Sequence, residues 1–145
     1  MSSGYKDIAY QLTAALFKAL NNMVTVSAVT YPCYKGIPTN VGDTYVRIGE
    51  VIEGPTGTKD DFQYEGSVSV IVTDESGVNI LDKKLAYSIQ DKVRTLLKAT
   101  RTSTHTVSGF TMIAFTPEGS TEISNYTDKG KPRIQLVDTY RYIIE

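Results

Sequence analysis

A chain of 145 residues suits one domain, and burying roughly 68–70% of its unfolded surface leaves room for a core. Apolar residues at 41% and charged residues at 21% argue against a disordered chain, and a net charge of −1 against the positive field that general nucleic-acid binding needs. The single cysteine, Cys33, excludes an intramolecular disulfide and a cysteine-rich metal site.

Met1-Ser2-Ser3-Gly4 lacks a basic region followed by an apolar stretch, so no signal peptide is expected. No apolar run approaches the ~18 residues of a membrane span, and synthesis in a cytoplasm is expected. From about Tyr5 to Asn22, the spacing of Ile8, Leu12, Ala15, Leu16, Ala19 and Leu20 predicts a helix that Asn21-Asn22 breaks. Alternation of Val24, Val26 and Ala28 with Thr25 and Ser27 predicts a strand over Met23–Thr30. Residues 31–43, with Pro32, Gly36, Pro38 and Gly42, read as a loop. Strands over Thr44–Ile52 and Phe62–Thr73 predict a long β-hairpin with a polar, glycine-rich tip; in the second, Val68, Val70 and Val72 face one way and Ser67 and Ser69 the other.

A second helix is predicted over Asn79–Thr100, with a core stripe of Leu81, Leu85, Ile89, Val93 and Leu96. Lys84, Ser88, Asp91 and Thr95 are its wet face, and Asp91 and Arg94 form an i,i+3 pair. Strands follow at Thr104–Thr116 and Arg133–Ile144. Between them Pro117–Pro132 reads as a polar connection, with a short hairpin extension around Glu122-Ile123-Ser124 left open. The fold class is α+β: an antiparallel-rich sheet of about five strands with two helices on one face, in the order α-β-β-β-α-β-β.

Catalytic constellations are hard to assemble from these residues. His105 is the only histidine, so a nucleophile-histidine system has one possible base and a zinc site lacks ligands. Amid Thr102-Ser103-Thr104 and Thr106 it reads as a polar strand residue, and Cys33 as a half-buried packed thiol. Gly54-Pro55-Thr56-Gly57-Thr58-Lys59 has its glycines too close for a phosphate loop and joins strand to strand, so it reads as a turn. Asp60-Asp61 and Asp74-Glu75 are neighbours whose side chains diverge on a strand, and they read as solvated charge. The expectation is no enzyme, no cofactor and no metal.

Other features point to protein partners. Ten tyrosines, Tyr31, Tyr34, Tyr45, Tyr126, Tyr140 and Tyr142 among them, stand where tryptophan is absent, and tyrosine favours interfaces as well as sheet faces. Phe110, Met112 and Ala114 are assigned to one face of their strand, and Ile113 and Phe115 to the other. With helices on one side only, that second set awaits cover from a neighbour, unless the strand is buried on both faces.

Tyr34-Lys35-Gly36-Ile37-Pro38, then Thr44-Tyr45-Val46-Arg47-Ile48-Gly49, the strand Ser67–Val72 and the helix with Leu85, Ile89, Val93 and Leu96 follow in an order that resembles the tail-terminator or tail-completion proteins of tailed phages. In that family the first segment reads Tyr-variable-variable-apolar-Pro and the second Pro-Tyr-apolar-variable-apolar-Gly; here Thr44 replaces the second proline. Thr73 also stands where the family often carries an aromatic residue, and the Pro117–Pro132 connection is longer than expected. The resemblance covers nearly the whole chain, as one tail-terminator-like domain over residues 1–145.

The resemblance implies a virion protein made in a bacterial host cytoplasm. It would form a homo-oligomeric ring, a hexamer, at the head-proximal end of the tail. The ring stops polymerisation of the tail tube protein and meets the head connector or another neck protein. DNA passes through without sequence-specific binding, and no membrane is involved. The interface residues proposed on this basis are Glu53, Gly54, Pro55, Lys59, Asp60 and Asp61 at the hairpin tip, Ile113 and Phe115 on the later strand, and Tyr126 and Lys129 in the late connection. A head–tail adaptor or tail-barrel ring, and a small non-viral binding domain, remain the alternatives.

Overall fold

The computed structural model describes residues 8–36, 43–53, 64–97 and 112–144. Helix α1 covers Ile8–Leu20, followed by the short strands β1 (Thr25–Val26), β2 (Val29–Thr30) and β3 (Cys33–Tyr34). Strands β4 (Thr44–Glu53) and β5 (Tyr64–Asp74) precede helix α2 (Lys84–Leu97), and β6 (Met112–Tyr126) and β7 (Pro132–Ile144) complete the chain. The five-stranded sheet has the order β3-β4-β5-β7-β6, antiparallel throughout except for β3 on β4. Helix α1 packs on β4 and α2 across β5 and β7, so both helices cover one face, as the α+β pattern predicts.

The core is the meeting of two periodicities. Leu12, Leu16 and Leu20 recur at helical spacing on α1, and Val46 and Ile48, then Val68, Val70 and Val72, recur at strand spacing; all are buried in one cluster. From α2 come Ala86, Ile89, Val93 and Leu97, and from β7 Ile134, Leu136, Tyr140, Tyr142 and Ile144. The apolar area removed from water here, at about 25 cal/mol per Å², is the main force holding helices to sheet.

Several expectations are corrected. The strand expected over Met23–Thr30 is a two-residue hairpin, β1 with β2, reversed at Ser27 (φ 51) and Ala28 (φ 69). Two successive positive φ angles make a turn that Asn-Gly ordinarily signals, and neither residue announces it. The second helix begins at Lys84, not Asn79, because the Asn79 side chain accepts a bond from the Leu81 N–H (2.8 Å) and holds a turn. Leu81 is therefore no core residue: it is 80% exposed, and Ala86, Gln90 and Leu97 join Ile89 and Val93 on the buried face. Cys33, expected in a loop, lies on β3 and is buried; burial pushes its thiol up to about 12. Residues 5–7 and 98–100 of the expected helices and 104–111 of the expected strand lie outside the described residues.

The largest difference is at Pro117–Pro132. What reads as a polar connection is mostly strand, and the hairpin extension left open around Glu122-Ile123-Ser124 is part of it: β6 runs fifteen residues to Tyr126 and pairs with β7 along its length. Its Ser, Glu, Asn and Gly residues carry little β propensity, and the long β7 partner supplies the pairing instead. The turn closes through Thr127, whose N–H donates to the Lys131 carbonyl (2.8 Å), while Gly130 takes φ 79.

Candidate functional surfaces

The register of the sheet assigns its two ends. Thr44, Asp74, Ile134 and Ser124 lie in one row across the sheet, and Glu53, Gly66, Tyr142 and Phe115 in another. The ten residues of β4 separate these rows by about 30 Å at ~3.3 Å per residue. The first end carries the β5–α2 loop and the β6–β7 turn. The second carries the ends of β4 and β7 and the start of β6.

The predicted interface residues fall into two groups that do not meet. Tyr126 (55% exposed) and Lys129 stand at the first end, on a polar cleft of about 540 Å³ that also takes in Asp43, Glu75, Lys131 and Arg133. Two ion pairs cross this cleft, Lys131 to Asp43 at 2.5 Å and Arg133 to Glu75 at 2.9 Å. They tie the hairpin turn to the start of β4 and the end of β5, which holds this surface in place. Glu53 closes β4 at the second end. Gly54, Pro55, Lys59, Asp60 and Asp61 lie outside the described residues, as do His105 and the side chain of Ile113.

Phe115, proposed as an interface residue, is buried within the subunit. A bulge between Met112 and Ala114 adds one residue to β6, so Phe115 turns to the helix-covered face opposite Tyr142. There it is fully buried and stacks on Tyr140, centroids 4.9 Å apart. Tyr140 and Tyr142, counted among the interface tyrosines, are also core residues. Burial raises the Tyr140 phenol above its ordinary range, so it stays neutral.

Helix α2 and Lys83 just before it hold the sheet at two points, one on β6 and one on β7. Lys83 and Tyr87 both donate to Glu122 of β6, which holds that carboxyl below its usual range and raises both donors. Further along, buried Asp138 of β7 accepts from Gln90 Nε2 (3.0 Å), Arg94 Nε (2.8 Å) and Arg94 Nη2 (2.9 Å). Arg94 is thus committed to Asp138 in preference to the helical Asp91 pair that spacing predicts, and its Nη2 also reaches Ser120 of β6 at 3.5 Å. A cavity of about 480 Å³ opens beside this cluster, lined by Arg94, Pro117, Gly119, Ser120, Asp138 and Tyr140.

Sequence reasoning missed the β5–α2 loop as a surface. Asp74, read as solvated charge, is buried, and its Oδ1 accepts from Thr44 Oγ1 (2.9 Å), Ser76 N (2.9 Å) and Ser76 Oγ (2.6 Å). That anchor and the Asn79 turn hold Val78 (87% exposed) and Leu81 in water at the first end. The Asx-type residues Asp74 and Asn79 were the available signal, since both favour turns over helix. Among the described residues no group of three or more His, Cys, Asp or Glu side chains is placed to hold a metal ion.

The fold has a solved counterpart. A chain in the virion of a native gene transfer agent particle is similar to this one with TM-score 0.66, over 97% of this chain and 98% of that one, at 19% identity. The likeness is one of fold. No protein-family model matches the chain, and no curated protein matches its sequence.

Proposed function

We propose that this chain is a structural virion protein that forms a ring at the head-proximal end of a phage tail, stops tube polymerisation and joins the tail to the head connector. It acts through surfaces and not through catalysis. The observation that carries the reading is the near-complete overlap of its fold with a chain of the gene transfer agent virion. The two-ended build supports it: a subunit between two stacked neighbours needs separate contact surfaces, and the two ends of the sheet lie about 30 Å apart. One end displays Tyr126, Val78 and Leu81, apolar groups that a partner would cover.

Deleting the gene tests the role. Loss of a terminator yields tailless heads together with tubes of uncontrolled length under the electron microscope. Tails of normal length beside leaking heads would overturn termination and indicate a head–tail adaptor.

A further inference from the structure

The sheet has two unequal edges. Strand β3 covers β4 only at Val46 and Arg47, and among the described residues nothing pairs with the outer edge from Ile48 to Glu53. At the other side β6 is the last strand, and among the described residues its outer edge is likewise unpaired from Thr116 to Tyr126. An open edge is a row of N–H and C=O groups ready for another strand, and natural proteins seldom leave one this long uncovered.

We propose that the open half of β4 receives the outer edge of β6 from a second copy of this chain, extending the sheet from subunit to subunit. Three observations converge on that occupant. The first is direction: three antiparallel steps, β4 to β5 to β7 to β6, leave β6 antiparallel to β4. Two copies set side by side in the same orientation therefore bring β6 against the next β4 as an antiparallel pair, with both helical layers on the same side. The contact is heterologous, one donor and one acceptor edge per copy, which closes into a ring when the rotation allows.

The second observation is level. β4 is irregular between Ile48 and Val51, β6 between Pro117 and Gly119, and through Ser69 and Thr139 these two irregularities stand at the same height. The creases of the two edges meet. Third, a groove of about 690 Å³ accompanies the open half of β4, with Ile48, Gly49, Val51 and Ile52 on the strand and Ala9 and Thr13 on α1 as the facing wall.

The proposal deepens the ring reading, and its test separates the two. In full-length protein carrying Cys33→Ser, Glu50→Cys and Glu118→Cys are combined and treated with a short bismaleimide under conditions where native mass spectrometry or negative stain shows rings. The expected result is a covalent ladder running past the dimer toward the ring number, with neither single-cysteine variant extending beyond a dimer. Rings without the ladder overturn the edge pairing and leave the ring reading standing. A chain that forms no ring alone, with tube protein, or in purified particles overturns both. Circular dichroism of each variant confirms that the fold is kept.

Discussion

Replacing Asp138 or Arg94 tests whether α2 is fastened to β7 from within the core. The Asp138 side chain is 7% exposed and the Arg94 side chain 47%. Three N–H groups converge on the carboxylate, from Gln90 and twice from Arg94. Hydrogen bonds to a charged group contribute about 1.5–3 kcal/mol each, and breaking one partner of a fully buried pair costs about 3–5 kcal/mol. In Asp138→Ala the half-exposed guanidinium regains water, which reduces that figure, while the buried Gln90 amide loses an acceptor. The expected cost is about 2–4 kcal/mol.

Arg94→Ala strands the buried carboxylate with one donor and should cost at least as much. Arg94→Met with Asp138→Leu removes charge from both sides and should be less destabilising than the sum of the two alanine variants. Urea unfolding followed by far-ultraviolet circular dichroism and tyrosine emission gives the free energies, since tryptophan is absent. If both single variants lie within about 0.5 kcal/mol of the parent, the Arg94–Asp138 contact does not anchor the sheet and the reasoning fails.

Phe115→Ala should cost about 3–5 kcal/mol on the same assay, and a fully stable variant defective only in assembly would return Phe115 to the interface. Leu81→Ser, at a site 80% exposed, should change stability by less than about 0.5 kcal/mol; a larger loss would restore it to the helix core. Glu122 is held below its ordinary range by Lys83 and Tyr87, so its contribution is complete above the unfolded value and vanishes as pH falls through the folded one. Hydrogen exchange around residues 120–124 should accelerate on acidification ahead of the core strands, and uniform exchange would contradict the clamp. The Cys33 thiol, pushed up to about 12, should ignore a thiol reagent at pH 8 until the chain is unfolded. Its raised value makes that contribution complete below the unfolded value of about 8.5 and lost as pH climbs beyond it.

Much of the fold was legible from periodicity. Leu12, Leu16 and Leu20 announce a helix and its inner face, and the Val68–Val72 alternation announces a strand covered on one side. Both signals are local, because a repeat of 3.6 or 2 residues is a property of the chain itself. The candidate surfaces were legible only in part. Tyr126 and Lys129 were singled out as members of a polar segment, and that segment proves to be strand and turn.

The amino-acid order alone determined the layers: two amphipathic helices, an antiparallel-rich sheet, and which faces of α1, β5 and α2 meet in the core. Tertiary structure decided the rest. One inserted residue between Met112 and Ala114 moves Phe115 from outside to core, and no side-chain pattern marks a bulge before its partner strand is known. Pairing with β7 makes a strand of residues 117–126, whose own propensities oppose it. Asp138 draws Arg94 away from its helical neighbour because a buried carboxylate needs donors more than an exposed one does. The height of each edge irregularity, and the separation of the two contact ends, follow from strand register, and register is set by distant parts of the chain meeting.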